Sequence, residues 1–367
     1  MAQTQPLMPD LTGSDPSCAI VMAGAPSACS GDYDVDVVIL GLDRADETIA
    51  AIRSALSQIG VSRHVFIVDQ GSKPANLALL AAAVADCPDA TLVALGRNYG
   101  VAGGRNRGAA LGHGRVIFGL DNDAEFATPS TLAQAVAMLD ADTTLAAMGC
   151  RIVQYGSGED DMSSWGYPPG LLDRSGDNFD AITFVGAGHA IRRTAWQACN
   201  GYDDALHFCW EELDFCLRAI EQGWRIRYHG DIVVRHKVSP EQRFAWTGNR
   251  WFYYVRNRLY IGRKWTSGWL PLLPRCVFYA LKGARNGVLS QTLRAFLAAF
   301  SMASRIVPRR HSPAAREYLR ANDTAHRKGW LTAACHEVLR RLPAPGRARA
   351  ASRSLHSNGK MAGQSIR

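Results

Sequence analysis

Four short apolar runs alternate with helical segments between residues 35 and 120, and this alternation limits the fold more than any other feature of the sequence. The runs predict strands at VDVVIL (35–40), VFIVD (65–69), TLVAL (91–95) and VIFGL (116–120). Between the first two, apolar residues recur at helical spacing from Glu47 to Ile59. Strands that alternate with helices favour an α/β fold with a mostly parallel central sheet flanked by helices.

Polar residues follow the ends of these predicted strands. Asp69 ends the second strand, Asn98 lies just beyond the third, and Asp121 comes directly after the fourth. In open α/β sheets, ligands bind beyond the carboxyl ends of the strands. We therefore expect these three side chains to lie around one crevice.

The segment Asp121-Asn122-Asp123 is a candidate cation site. Two carboxylates separated by one residue can bind one divalent cation, and that cation can neutralise a diphosphate. Such a triplet alone is more often a surface turn, but its position at a strand end favours the cation site. His236, at the end of the predicted strand 226–236, is the candidate for a third ligand.

Two other segments carry candidate binding and catalytic residues. The glycines of NYGVAGGRNRG (98–108) allow a backbone to approach a ligand closely, although the segment is neither a Walker loop nor a dinucleotide fingerprint. WEELDFCLR (210–218) begins a helix with three acids in its first turn, which suits the helix dipole. The functional alternative is a general base, and Glu212 and Asp214 cannot both fill that role because they cannot share a helix face. Arg218 is spaced to pair with Asp214.

Charge is unevenly distributed along the chain. From Arg243 onward there are 24 Lys and Arg residues against 3 Asp and Glu, although the whole chain carries only +8. A basic C-terminal part indicates an anionic partner, either membrane phospholipid or nucleic acid. Arginine and lysine interrupt the apolar stretch 269–306, predicted as helix, which favours a helix lying on a bilayer over one crossing it. Nine singly spaced cysteines indicate a reducing, cytoplasmic location.

Together these segments resemble the inverting family 2 glycosyltransferases with the GT-A fold, over roughly residues 35–265. The nearest subgroup is the bacterial rhamnosyltransferase- and galactofuranosyltransferase-like enzymes of cell-surface polysaccharide synthesis. The motifs that carry the resemblance are VFIVDQGS (65–72), RNYGVAGGRNRG (97–108), FGLDNDAEF (118–126), FVGAGHAIRR (184–193), WEELDFCLRAIEQGWRIRY (210–228) and VVRH (233–236). The resemblance implies Mg²⁺ or Mn²⁺, a UDP- or dTDP-sugar donor, and a glycan or polyprenyl-linked acceptor.

The resemblance also implies roles for individual residues. The donor nucleotide would be bound by Asp43, Asp69, Asn98, Gly100, Asn106 and Asp121. The metal ligands would be Asp121, Asp123 and His236. Glu212 matches the catalytic base, with Asp214 as the alternative, and Trp210, the segment 186–188 and His189 would lie near the acceptor.

The sequence predicts four regions. They are a flexible leader (1–34), a GT-A catalytic domain (35–265), a basic amphipathic helical region that contacts an anionic membrane (266–340), and a disordered basic tail (341–367). The predicted location is the cytoplasmic face of the inner membrane, with no nucleic-acid partner. Two other classes stay open: a sugar-nucleotide nucleotidyltransferase, and a non-catalytic membrane- or nucleic-acid-binding protein. The acidic segment GLDRAD (41–46) argues against the former, and the absence of a nucleic-acid motif argues against nucleic-acid binding.

Overall fold

The computed structural model describes residues 22–24, 33–237, 249–327 and 342. The chain divides into two compact units, one formed by Met1–Lys237 with His311–Lys328 and the other by Val238–Arg310 with Gly329–Arg367. The predicted tail lies outside the described residues except for Leu342. Of the predicted leader, residues 22–24 and 33–34 are described, and the first of these segments is a short strand.

Ten strands form one sheet among the described residues of the first unit. They are β1 (Met22–Gly24), β2 (Val35–Gly41), β3 (Arg63–Asp69), β4 (Ala90–Ala94), β5 (Val116–Leu120), β6 (Ala124–Phe126), β7 (Leu145–Gln154), β8 (Asn178–Ala181), β9 (Gly188–Arg192) and β10 (Arg225–His236). The helices are α1 (Ala45–Leu56), α2 (Pro74–Val84), α3 (Gly100–Leu111), α4 (Thr131–Ala141), α5 (Arg193–Ala198), α6 (Glu211–Glu221), α7 (Trp251–Lys264), α8 (Leu273–Arg285), α9 (Leu289–Ala303) and α10 (Pro313–Asn322). Of these helices, α7 to α9 belong to the second unit.

The strand order is β1-β4-β3-β2-β5-β9-β7-β10-β6, with β8 paired to β10. The predicted strands pair in parallel from β4 through β3 and β2 to β5, and β7 is parallel to β10. The sheet as a whole is mixed, because β9 runs antiparallel between β5 and β7 and the short strands β1, β6 and β8 are also antiparallel. Strand direction depends on how distant segments connect, so local periodicity did not reveal which strands run antiparallel.

Side chains of the central strand β2 enter two different cores. Val37 and Ile39 pack on one face of the sheet, whereas Val38 packs on the other. All three are completely buried. A strand covered on both faces is apolar at every position, which explains the uninterrupted VVIL run. Packing on both faces leaves the carboxyl ends of the strands as the exposed edge where polar groups can gather.

The antiparallel pairing of β6 with β10 brings together residues more than a hundred positions apart. His236 is the register partner of Ala124, and the Lys237 backbone N–H donates to the Asp123 carbonyl at 2.7 Å. This pairing sets the last residue of β10 beside the segment that follows β5.

The helices of the second unit pack around Trp251, which is completely buried and donates its indole N–H to Thr292 at 2.8 Å. The stretch 269–306, predicted as one helix, is instead two helices, α8 and α9. Gly287, with φ +70°, ends α8 because a left-handed residue cannot continue the helix. Within the described part of the chain, no helix is long and apolar enough to cross a membrane.

Candidate active site

Asp121, Asp123 and His236 form one group at the carboxyl edge of the sheet. One ligand atom from each lies within 4.8 Å of the other two, and His236 Nε2 is 3.2 Å from an Asp123 carboxylate oxygen. Two carboxylates and an imidazole are suitable ligands for a divalent cation such as Mn²⁺. These residues therefore fit the cation that the sequence analysis predicted.

Two arginines face these carboxylates. Arg44 donates to Asp123 and Arg105 donates to Asp121, both at 3.0 Å. Arg105 is almost fully buried and also donates to the Val38 carbonyl. Neither arginine was identified from the sequence, although Arg105 lies inside the glycine-rich segment. A diphosphate bound at the Asp121, Asp123 and His236 group would lie close to the positive charges of these two arginines.

His236 has a buried carboxylate on its other side. Its Nδ1 lies 2.9 Å from Asp161, which also accepts from the Ser163 backbone N–H at 3.0 Å and from the Ser164 hydroxyl at 2.6 Å. Burial lowers the pKa of His236. Its hydrogen bonds to Asp123 and Asp161 outweigh this effect and raise the pKa of His236 to about 10. Asp161 was missed because it lies in the segment 154–180, whose many Gly, Asp and Ser residues indicate a long loop. Its sequence signal is the run Asp-Asp-Met-Ser-Ser (160–164), which is typical of a turn.

Asp43 and Asp69 shape the ends of two neighbouring strands. Asp69 is buried, and its Oδ1 accepts from the backbone N–H groups of Gly71 and Ser72, both at 3.1 Å. Its Oδ2 has no hydrogen-bond partner among the described residues. Asp43 accepts from the Lys73 backbone N–H at 3.0 Å, which with other hydrogen bonds lowers the pKa of its carboxyl. Of the two, Asp69 has the buried oxygen that still lacks a donor.

The beginning of α3 requires glycine. Gly100 has φ +78°, and a Cβ added there would lie 2.2 Å from the His207 carbonyl oxygen. Its N–H donates to the exposed Asn98 side chain at 2.7 Å, and the next residue, Val101, donates its N–H to the same His207 carbonyl at 2.6 Å. The glycine-rich segment therefore packs directly against the segment that precedes α6.

The side-chain amide of Asn106 forms hydrogen bonds through both its nitrogen and its oxygen. It donates to the Tyr202 carbonyl at 2.9 Å and accepts from the Tyr202 N–H at 2.9 Å. It also donates to Asp204 at 2.5 Å. The resemblance implied a nucleotide contact for this residue, and in the structure its amide also holds the 202–204 loop.

The two candidate bases have different surroundings. Asp214 is completely buried and forms an ion pair with Arg218 at 2.9 Å, and Arg218 also donates to the Gly201 carbonyl at 2.8 Å. Glu212 lies so close to Gly186 that a Cβ added there would be 2.5 Å from Glu212 Oε1. Burial, with a contribution from the negative charge of Asp121, raises the pKa of Glu212 to about 7.

The segment before α6 has strained backbone geometry. Cys209 and Trp210 both have φ +72°, a left-handed conformation that costs energy for non-glycine residues. Trp210 is partly buried and directly precedes the helix. This turn determines where the first acids of α6 point.

His189, predicted to lie where it could touch the acceptor, is an interior residue. It is buried, its ring stacks on Phe184 at 4.5 Å, and its Nε2 lies 3.2 Å from the Tyr202 hydroxyl. Burial holds the pKa of His189 well below its usual value. The prediction was wrong because His189 pairs with Gly119 in the sheet, and its ring fills the space left by that glycine.

Comparison with known proteins gives matches along most of the chain. Residues 36–198 match the model of Glycosyl transferase family 2, and residues 170–307 match Glycosyl transferase family group 2. The succinoglycan biosynthesis protein ExoO of Rhizobium meliloti (strain 1021) is 40% identical over 116 residues. That match spans 32% of this chain and 32% of the relative's length.

Two solved structures share the fold at low sequence identity. The mannosyltransferase PcManGT from Pyrobaculum calidifontis, in complex with GDP-Man and Mn²⁺, has a TM-score of 0.53 and 20% identity, and the match covers 86% of this chain and 87% of that one. GalNAc-T7 with UDP, GalNAc and Mn²⁺ has a TM-score of 0.51 and 13% identity, with 76% and 57% covered.

The fold and the Asp-Asp-His group define a glycosyltransferase of the GT-A type. Within that class, the chain belongs to glycosyltransferase family 2. These findings therefore confirm the fold class, the family and the enzyme class predicted from the sequence. They favour a glycosyltransferase over the two alternatives, a nucleotidyltransferase and a non-catalytic binding protein.

Proposed function

We propose that this protein transfers a sugar from a nucleotide-diphosphate donor to an acceptor hydroxyl, with Mg²⁺ or Mn²⁺ and with inversion at the anomeric carbon. The observation that carries the proposal is the convergence of Asp121, Asp123 and His236 within 4.8 Å. The two solved relatives are described with GDP-Man or UDP, and both with Mn²⁺, which supports a nucleotide donor and a metal.

Asp121, Asp123 and His236 would hold the cation, which supplies charge stabilisation to a departing diphosphate. Arg105 and Arg44 add positive charge beside the same carboxylates. Asp69 is the proposed contact to the nucleobase, because its buried Oδ2 can accept an N–H. Asp43, Asn98 and Gly100 form the neighbouring turns that would line the nucleotide.

Glu212 is the proposed base that removes the proton from the acceptor hydroxyl. Its raised pKa makes its ionised form a stronger base than an ordinary carboxylate. Asp214 would act indirectly, by fixing Arg218 and hence the 199–201 turn. One carboxylate is sufficient, because a nucleoside diphosphate leaves without help from a second acid.

The biological acceptor is proposed to be a glycan or a polyprenyl-linked glycan of bacterial cell-surface or exopolysaccharide synthesis. The 40% identity to a succinoglycan biosynthesis protein supports this class of product. The donor would be a UDP- or dTDP-sugar, and the enzyme would act at the cytoplasmic face of the inner membrane, consistent with its basic C-terminal part.

The proposal is tested by measuring nucleoside diphosphate release from a panel of sugar nucleotides. With Mn²⁺, we expect slow hydrolysis of one donor, faster release when bacterial membrane extract supplies an acceptor, and loss of both with EDTA. Restoring Mn²⁺ after EDTA controls for irreversible damage to the protein. If the wild-type protein neither binds nor turns over any donor in the presence of Mn²⁺ and membrane extract, the proposed function is wrong.

A further inference from the structure

Large apolar side chains are exposed over much of the second unit. Among the described residues, most exposed large apolar side chains lie between positions 270 and 307, and Leu297 and Phe300 are 75% and 62% exposed. The others in this range are Leu270, Leu273, Val277, Leu281, Leu289, Leu293 and Val307. Apolar side chains gathered in this way usually mark a binding surface.

The exposed residues follow helical spacing on both α8 and α9. Leu273, Val277 and Leu281 are four residues apart and form one stripe along α8. A second stripe along α9 consists of Leu289, Leu293, Leu297 and Phe300. These seven residues are called the α8–α9 leucine face. Spacing of three or four residues places each stripe on one side of its helix.

A different side of each helix already forms the core of the unit. Tyr279 of α8 is buried beside Trp251, and Ala295 and Ala299 of α9 are completely buried in the same core. Each helix therefore packs into the core through one side, and the leucine face lies on a different side. Among the residues that the structure describes, its exposed area does not contribute to the core of this unit.

The charge of the second unit suits an anionic bilayer. Residues 249–310 contain twelve Lys and Arg residues and no Asp or Glu. Arg285 lies one turn beyond Leu281, and Arg294 directly follows Leu293; both arginines are exposed. Long basic side chains can keep their charge at phosphate level while neighbouring leucines enter the acyl region.

We propose that the α8–α9 leucine face docks on an anionic phospholipid bilayer, with both helices lying in the plane of the interface. The apolar stripes supply burial, and the arginines supply attraction to phosphate. This extends the proposed function by giving the enzyme a route to a lipid-linked acceptor. The docking itself does not depend on catalysis.

Co-sedimentation of the full chain with phosphatidylglycerol–phosphatidylcholine vesicles tests this proposal. We expect binding to these vesicles, little binding to phosphatidylcholine alone, and at least about tenfold weaker binding for Leu281→Gln with Leu297→Gln. The matched control is Ile59→Gln with Leu79→Gln, which removes exposed apolar residues from the first unit and should leave vesicle binding unchanged.

Three results would overturn this docking surface: no binding by the wild type, equal binding by the two double variants, or a concentration-dependent dimer lost only in Leu281→Gln with Leu297→Gln. The last would assign the face to a second copy of the chain. Hydrolysis of a soluble donor by both variants should equal wild type. Failure of catalysis is therefore distinguishable from failure of docking.

A second inference follows from the buried contact between His236 and Asp161. The Asp161 carboxylate lies 2.9 Å from Nδ1, while Nε2 of the same ring points toward Asp123. Asp161 is itself fixed by Ser163 and Ser164. A carboxylate on one ring nitrogen fixes the orientation of the ring, so that the other nitrogen faces the cation position.

We infer that Asp161 is a positioning residue for the metal centre, an inference that depends on the proposed metal. Asp161→Ala is expected to weaken Mn²⁺ affinity about 10- to 100-fold by calorimetry, with Asp161→Asn as the second variant if the first does not fold. The adjacent Asp160→Ala is the matched control, because Asp160 instead contacts Arg151 at 2.6 Å and Ser175.

The calorimetry separates the two proposals. Wild-type protein that binds no Mn²⁺ would contradict the metal itself. Wild-type binding that is unchanged in a folded Asp161 variant would contradict the positioning role alone. Equal losses in the Asp160 and Asp161 variants would assign the effect to disruption of the 154–164 segment, and would also overturn that role.

Discussion

Asp123→Ala is expected to lower Mn²⁺-dependent nucleoside diphosphate release about a thousandfold, because a Lewis-acid cation contributes several kcal/mol to charge stabilisation. Asp123 contacts both His236 and Arg44, so its loss removes one ligand and takes one carboxylate away from each of these two side chains. The release rate and the Mn²⁺ dissociation constant should be measured on the same preparation.

The control for this prediction is Asp173→Ala, which removes an exposed carboxylate of the first unit that is not part of the group. It should retain wild-type release and Mn²⁺ affinity. His236→Ala should weaken Mn²⁺ binding as well, since it removes the third candidate ligand. Wild-type release by Asp123→Ala at the same Mn²⁺ concentration would show that the metal site is elsewhere.

Glu212→Gln is expected to lower sugar transfer about 10²- to 10⁴-fold while leaving donor affinity unchanged, because the amide cannot accept the acceptor's proton. Wild-type transfer should also depend on pH. Burial raises the pKa of Glu212 to about 7, so the carboxyl is protonated below that pH and cannot act as a base. The transfer rate should therefore fall as the pH decreases through about 7. This acidic limb of the pH profile is to be measured as kcat/KM between about pH 5 and 9.

Asp214→Asn is the discriminating control for this assignment. Asp214 is buried against Arg218, so loss of its charge should lower the melting temperature through the unpaired arginine. The acidic limb of the pH profile should remain. If Asp214→Asn abolished the limb and Glu212→Gln preserved it, the roles of the two acids would be reversed.

The sequence by itself determined the α/β character of the first unit and the positions of its strand ends. The apolar runs are local patterns, and β2 is apolar at successive positions because it is covered on both faces. Asp121 and Asp123 follow β5, and His236 ends β10, so all three could be expected at one edge. The structure brings their ligand atoms together.

Only the tertiary structure separated residues with the same local pattern. Glu212 and Asp214 lie in the same helical turn, and the i,i+4 spacing already predicted the ion pair of Asp214 with Arg218. The position of Glu212 against Gly186, by contrast, depends on a segment 26 residues away. The contacts of Arg44, Arg105 and Asp161 join segments that are 16 to 79 residues apart. Hydrophobic periodicity reports what one segment buries, whereas an ion pair or a hydrogen bond also depends on the distant segment that packs beside it. For this reason the sequence located the edge of the sheet where the candidate site lies, and the fold determined which charges meet there.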